Sequence, residues 1–447
     1  MHINRFFVLF ACLLISVAAV GQASPPQDNS PYSRYGIGNL LPQYFAPQGA
    51  MGGISTAYNS FYHLNPSNPA SYAALSYTAF EAGLYYKFTN VNSEAGSVNT
   101  NTGNLSYIAL GFPIFNPLNR ATLAKDKPVD WGMSFGLKPF SQVAYDIAQT
   151  GEIDSIGTVN YLFQGNGQLY KLYYGTGIRY KGFSAGFNIG LLFGNTSQLR
   201  RVEFDDLVNA FLDDLNDNTN HSGFIYDIGL QYEYVFGKLE DPEEERKRRS
   251  KRRLLIGLRG NGTYKVRTNS VQNYQRAALG YGLDTISFSE ELTGRAKMPA
   301  EVSIGLAMKQ DGKWMIGGDF TWSGWGSFEH PNLIAPLEDA WRVSIGGEYT
   351  PNERSFKNYF YRIRYRAGAF YALDPRVVGG EQLTTYGVTF GMGFPVKANP
   401  QKKPSFINLG FEFGRLGDSD LIMENYFRLN LAFTFNDNSW FFKRKFR

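Results

Sequence analysis

Residues Phe427, Leu429, Leu431, Phe433 and Phe435 alternate with Arg428, Asn430, Ala432 and Thr434. At the period of a β-strand this gives one apolar row and one polar row. The pattern recurs. Tyr359, Tyr361, Ile363, Tyr365 and Tyr371 are set against Arg362, Arg364 and Arg366. Tyr386, Val388, Phe390, Met392 and Phe394 are set against Gly387, Thr389, Gly391 and Gly393. Tyr226, Ile228, Leu230, Tyr232 and Tyr234 are set against Asp227, Gln231 and Glu233. A chain of this kind builds half-buried strands, and periodicity alone leaves open which face meets the core.

The N-terminus decides between the two choices. Arg5 precedes an apolar core from Phe6 to Val20, and small residues follow through Gly21 and Ala23, the pattern of a secretory signal peptide over 1–21. The single cysteine, Cys12, lies in that core, so cleavage near Gly21 leaves a thiol-free mature chain suited to an oxidising compartment. No later run of about 18 apolar residues exists, so no transmembrane helix is expected. An exported chain without helices still spans a membrane as a closed barrel, because lipid cannot satisfy open strand edges. Aromatics make up 16% of the residues, which supplies the two girdles such a barrel needs at the lipid–water interfaces. The net charge of +5 is modest, and no basic stripe points to nucleic acid.

The expected fold class is therefore all-β: a transmembrane antiparallel β-barrel of about fourteen strands with an N-terminal hatch or plug in the lumen. The expected division is 1–21 signal peptide, 22–75 hatch, 76–436 barrel and 437–447 periplasmic tail. Short periplasmic turns are expected at Gly182, Gln310–Lys313 and Pro351–Lys357. Longer outer loops are expected at Asn92–Gly103, Arg201–Ser222, Asn269–Leu283 and Ser327–Asp339, with a short helix over Asp205–Leu215. The segment before the barrel has no clean alternation, but its small and aromatic residues, Gly49–Ile54 and Tyr58–Tyr62, favour packing over disorder.

Three stretches carry a family resemblance. Gly49-Ala50-Met51-Gly52-Gly53, followed by Asn65-Pro66 and Asn68-Pro69-Ala70, resembles the N-terminal hatch of the FadL family of outer-membrane transporters for hydrophobic compounds. Phe135-Gly136-Leu137-Lys138-Pro139-Phe140 resembles that family's third-strand segment. Met298-Pro299-Ala300-Glu301, with Trp314–Asp319, Trp322 and Trp325-Gly326-Ser327-Phe328, resembles a later family signature. The resemblance implies a fourteen-stranded barrel with a hatch at Gly52, Gly53, Asn65, Pro66, Asn68, Pro69 and Ala70. It also implies a kinked third strand with a lateral wall opening at Pro139 and Phe140. Tyr32–Gly38 and Trp440–Lys445 look like outer-membrane proteins of Bacteroidota, where this superfamily includes PorV, a partner subunit of type IX protein secretion.

Each site has a plainer reading beside the functional one. Proline within a strand also marks a simple bulge. The hatch is a gate or a fixed filling. Arg362, Arg364 and Arg366 hold an anionic head group in the lumen, or are neutralised by Glu348 and Glu412. Arg246, Arg248, Arg249, Arg252 and Arg253, in the run Glu240–Arg253, form a periplasmic docking element or a solvated turn. Gly182-Phe183-Ser184-Ala185-Gly186 matches G-x-S-x-G but leads into a strand rather than a helix, so no nucleophile elbow and no enzyme is expected. His63, His221 and His330 are too scattered for metal-ligand spacing, and neither metal nor cofactor is expected. Two functions remain. One is FadL-like transport of small hydrophobic molecules, with lipid and cargo as partners. The other is a non-transporting subunit of an outer-membrane export or assembly complex, with other outer-membrane or periplasmic subunits as partners.

Overall fold

The structure is a computed structural model that describes residues 29–437, except 95, 116–128, 155–156, 205–210, 237–251, 279–283, 332–336, 356, 397–404 and 419–420. A short strand, β1 (Asn39–Leu40), and a one-turn helix, α1 (Ala46–Gly49), belong to the N-terminal segment. The wall follows as β2 (Thr78–Ser93), β3 (Gly96–Pro113), β4 (Val129–Ile153), β5 (Gly157–Tyr180), β6 (Phe183–Phe204), β7 (Phe211–Val235), β8 (Arg252–Asn261) and β9 (Tyr264–Ala278). It continues as β10 (Asp284–Met298), β11 (Glu301–Gln310), β12 (Trp314–Ser323), β13 (Ala340–Tyr349), β14 (Arg364–Val378), β15 (Glu381–Val396), β16 (Ser405–Leu416) and β17 (Ile422–Asp437).

Neighbouring staves pair antiparallel, and β17 returns to β2 from Ile422↔Ser93 to Asp437↔Thr78, which closes the cylinder. β8 and β9 run end to end along β7, and β11 and β10 run end to end along them. The sixteen wall strands therefore make fourteen staves, and no sheet edge is left where β17 meets β2. No helix among the described residues is long and apolar enough to cross a membrane.

The apolar row faces outward. On β6, Phe183, Phe187 and Leu191 are 50%, 46% and 51% exposed, whereas Ser184 and Asn188 of the same strand are 6% and 3% exposed. Water would penalise such a surface, while lipid accepts it, so the alternation has the sign of a membrane barrel.

The wall is lopsided. β4, β5, β6 and β7 contain 25, 24, 22 and 25 residues. β12 and β13 contain 10 each. A membrane-spanning strand needs about 9–11 residues. The staves from β4 round to β10 therefore rise well clear of the bilayer at the end away from Thr78 and Asp437, the side of long extracellular elements. The projecting part is polar and internally paired: Arg201 forks onto Asp214 at 2.7 and 2.9 Å, and Arg276 Nε meets Asp213 at 2.6 Å.

Several local expectations fail here. Asn92–Gly103 is a tight hairpin, since β2 runs to Ser93 and β3 starts at Gly96. Arg201–Ser222 and Asn269–Leu283 are largely strand, with β7 starting at Phe211 and β9 reaching Ala278. Above the bilayer neither face meets lipid, so the apolar row disappears although the ladder continues. Within Asp205–Leu215, Phe211–Leu215 is strand rather than helix, and 205–210 lies outside the described residues. Phe360–Arg362 is a 3-10 turn, and β14 begins only at Arg364. The signal segment and the tail from 438 also lie outside the described residues.

Candidate functional site

The N-terminal segment packs against the inward-facing side of the wall, and its seating depends on glycine. Gly132, Gly177, Gly186 and Gly229 stand opposite one another in register across β4, β5, β6 and β7. Without side chains they form a trough. A Cβ on Gly186 would lie 2.6 Å from the Pro69 carbonyl oxygen, so main chain packs on main chain. The Asn68-Pro69-Ala70 turn sits in this trough and opens a 3-10 helix (Pro69–Ala74), with Ala70 N–H donating to Asn68 Oδ1 at 3.1 Å. Asn68 Nδ2 reaches the Thr56 carbonyl at 2.7 Å and the wall's Leu230 carbonyl at 3.3 Å. Asn65 Nδ2 ties the Ser55 and Tyr58 carbonyls at 2.7 and 2.9 Å. Pro66 offers its carbonyl to Asn188 Nδ2 at 2.9 Å.

The opposite wall holds Gly52, while Gly53 packs on Tyr44 within the N-terminal segment. Gly52 has φ +73° and donates to Thr389 Oγ1 at 2.8 Å. A Cβ there would lie 2.7 Å from the Ala369 oxygen and 2.8 Å from the Ile345 oxygen. Asp319 Oδ2 accepts from Ser55 N–H at 2.6 Å and Thr56 N–H at 2.7 Å. Of the expected hatch residues, Gly52, Pro66, Asn68, Pro69 and Ala70 lie against the wall, whereas Asn65 and Gly53 pack within the N-terminal segment itself.

A seam opens between β3 and β4. Their pairing covers only Ile108↔Leu137 to Pro113↔Gly132. Beyond it, Pro139 lacks the N–H of a ladder residue, and Phe140 is bulged out between the Pro139↔Tyr170 and Ser141↔Leu169 pairs. The N-terminal segment takes the edge that β3 leaves. β1 pairs Asn39↔Gln142 and Leu40↔Ser141, Leu41 N–H donates to the Phe140 carbonyl at 2.9 Å, and Ser30 N–H donates to the Ala144 carbonyl at 2.9 Å. Tyr32 bonds the Ile422 carbonyl across the mouth, and burial pushes its hydroxyl up to about 12. A pocket of about 40 Å³ at the seam is lined by Leu41, Tyr44, Phe45, Leu84, Tyr107 and Pro139 among others.

A larger cavity of about 290 Å³ lies between the N-terminal segment and the wall. Its lining includes Lys138, Lys171, Asp227, Arg259, Glu301 and Arg342. Arg259 meets Glu301 at 2.6 Å, Lys138 donates to the Gln43 carbonyl at 3.0 Å, and Lys171 lies 4.2 Å over the Phe140 ring. The same lining also includes Leu40, Tyr44, Phe140, Met298 and Trp325, so paired charges and apolar side chains share the cavity.

The arginine row splits. Arg364 and Arg366 are buried, and Glu348 serves both, at 3.4 Å to Arg364 and 2.8 Å to Arg366. Asn408 adds 2.8 Å to Arg366. Glu412 instead accepts from Tyr426 at 2.8 Å, so it is not the expected partner. Arg362 sits in the 3-10 turn against the Tyr359 ring and does not share the row. On the periplasmic side, Arg253 is 3% exposed and bound to Glu233 at 3.1 Å and Asp311 at 2.9 Å, which removes it from any docking surface. Arg252 is exposed, and Arg246, Arg248 and Arg249 lie outside the described residues. Ser184 of the G-x-S-x-G stretch lies on β6, on strand rather than at a strand-to-helix elbow. The fold also joins two histidines that sequence spacing kept apart, His221 and His330.

Comparison with known proteins follows from this geometry. No curated protein matches the chain. The toluene transporter TbuX of Ralstonia pickettii superposes with TM-score 0.53 at 12% identity, covering 89% of this chain and 99% of its own. The toluene transporter TodX of Pseudomonas putida gives 0.51 at 17%, covering 90% and 99%. These are FadL-like barrels, and at such identities they establish the fold alone: an outer-membrane β-barrel of FadL type. A family model described as BamG matches residues 2–447, and the chain therefore belongs to the BamG family.

Proposed function

We propose that the protein is a non-conducting partner subunit of an outer-membrane protein export or assembly complex. The one-sided outer wall carries this reading. The 22–25-residue staves on one side offer a protein partner a broad surface. The lumen supports it. Main-chain contacts at the glycine trough, two N–H groups on Asp319 and the strand addition at β4 hold the filling at many points. Releasing it would expose all of these polar groups together.

A second reading, hatch-gated passage of small hydrophobic molecules with lateral exit, is favoured by the seam at Pro139 and by the shared fold. Against it, the seam pocket is about 40 Å³, well below the roughly 300–1,000 Å³ of small-molecule sites. The larger cavity places Lys138, Lys171, Asp227, Arg259, Glu301 and Arg342 among its apolar side chains.

Gentle purification from the native membrane, followed by mass spectrometry of proteins and lipids, separates the two. The proposal expects a stoichiometric protein partner that is lost when Ala148–Leu162, the tip of the β4–β5 hairpin, is replaced by an Asn-Gly turn. A lone barrel carrying one enriched hydrophobic ligand would overturn it in favour of transport.

A further inference from the structure

The outer half of β4 has a strand neighbour along only one side. β5 pairs with it as far as Ile153↔Gly157, whereas β3 leaves it after Leu137. The N-terminal segment covers part of the open edge. β1 pairs with Ser141 and Gln142. Ala144 donates its N–H to Ser33 Oγ at 3.0 Å, and its carbonyl accepts from Ser30 N–H at 2.9 Å. Asn29 then places both ends of its side-chain amide on Asp146. Oδ1 accepts from the Asp146 N–H at 2.9 Å, and Nδ2 donates to the Asp146 carbonyl at 3.1 Å. Main-chain groups alternate in direction along a strand, so Ala148, Thr150 and Glu152 present theirs to the same side. Among the described residues no strand pairs with that side from Asp146 to Ile153.

We propose, resting on the partner-subunit reading above, that this edge seats an extended, basic segment of the partner protein, which adds to the sheet as one more strand. Unpaired N–H and C=O groups along a strand edge are a template for strand addition. The same edge already accepts main chain at Ser30 and Leu40. The chain's own start is ill suited to extend that ladder, since Pro25 and Pro26 have no N–H to donate. A lipid tail cannot satisfy such groups either. Charge selects the kind of strand. Asp146, Ala148, Thr150 and Glu152 share one face of β4 and are exposed. Their cross-strand neighbours on β5, Gln164, Leu162, Asn160 and Thr158, are uncharged. Two carboxylates thus stand beside the open edge with no cation across the ladder from them. Lysine or arginine at alternate positions of an added strand supplies that cation.

The test uses the full-length protein folded in detergent and a short fluorescein-labelled peptide of alternating lysine and valine, titrated by fluorescence anisotropy. Saturable one-to-one binding is expected, and none with glutamate in place of lysine. Ala148→Pro removes an N–H that faces the open side and none that faces β5. The variant should therefore keep its heat-shifted mobility on gels while peptide binding weakens about tenfold. Glu152→Lys should also weaken it, with the main chain untouched. In the native membrane, folded Ala148→Pro should lose the protein that co-purifies with the wild type. Absence of saturable binding, or binding unaltered in both folded variants, would overturn the proposal. A partner retained by folded Ala148→Pro would overturn it and leave the partner-subunit reading standing, whereas a wild type that carries no partner would overturn both.

Discussion

Thr56 Oγ1 and Ser303 Oγ stand 2.6 Å apart, the first on the N-terminal segment and the second on β11, and both residues are buried. This contact offers a direct test of motion inside the lumen. If cleavage removes Cys12, the mature chain has no cysteine of its own. The pair Thr56→Cys with Ser303→Cys should form a disulfide without moving the backbone. A fixed filling predicts that the oxidised and reduced variants support the cell equally well. Loss of function only on oxidation would mean that the segment moves.

The glycine trough predicts sharp sensitivity to one methyl group. Gly186→Ala should cost about 1–3 kcal/mol, the range for overpacking, because the Pro69 main chain has nowhere to go. Limited proteolysis should then cut within the N-terminal segment, which the wild type protects. Gly151→Ala is the control, since its nearest neighbour would be the Tyr161 ring at 3.8 Å.

Glu348 is shared by Arg364 and Arg366, so its removal leaves buried Arg366 with Asn408 but no carboxylate and Arg364 with Glu353 at 3.7 Å. Glu348→Ala should destabilise the barrel by about 3–5 kcal/mol, seen as a lower urea midpoint in tryptophan fluorescence. Glu348→Gln keeps the shape and acceptor oxygen and should lose less. Equal midpoints for wild type and Glu348→Ala would show that these charges are solvated.

Asp319 predicts a permeability effect. Asp319→Ala leaves Ser55 and Thr56 N–H groups without their acceptor. The lost charge-assisted bonds are worth about 1.5–3 kcal/mol each. Liposomes carrying this variant should swell faster in small sugars than those carrying the wild type. Unchanged swelling would show that the remaining contacts suffice to keep the lumen shut.

The barrel was legible in the sequence where strands cross lipid. Tyr426–Phe435 alternates because one face must be apolar and the other need not be, and Tyr365 and Tyr371 point outward for the same reason. Above the bilayer that asymmetry vanishes, so Asn92–Gly103 and Arg201–Ser222 read as loops although much of each is ladder. The Asn68-Pro69-Ala70 turn was visible, but its receptor was not. Gly132, Gly177, Gly186 and Gly229 carry no hydrophobic sign, and only register brings them together. His221 and His330 escaped for a related reason, since separation along the chain hides adjacency across the mouth.

Glycine is a poor strand residue, losing roughly 0.5–1 kcal/mol to alanine in a strand interior. A wall with four in one row gives up part of its own stability. The trough recovers that loss only when Asn68–Tyr72 lies in it. Shell and filling are thus energetically coupled. Truncating the chain up to Tyr77 would leave the glycine row uncovered and that loss uncompensated.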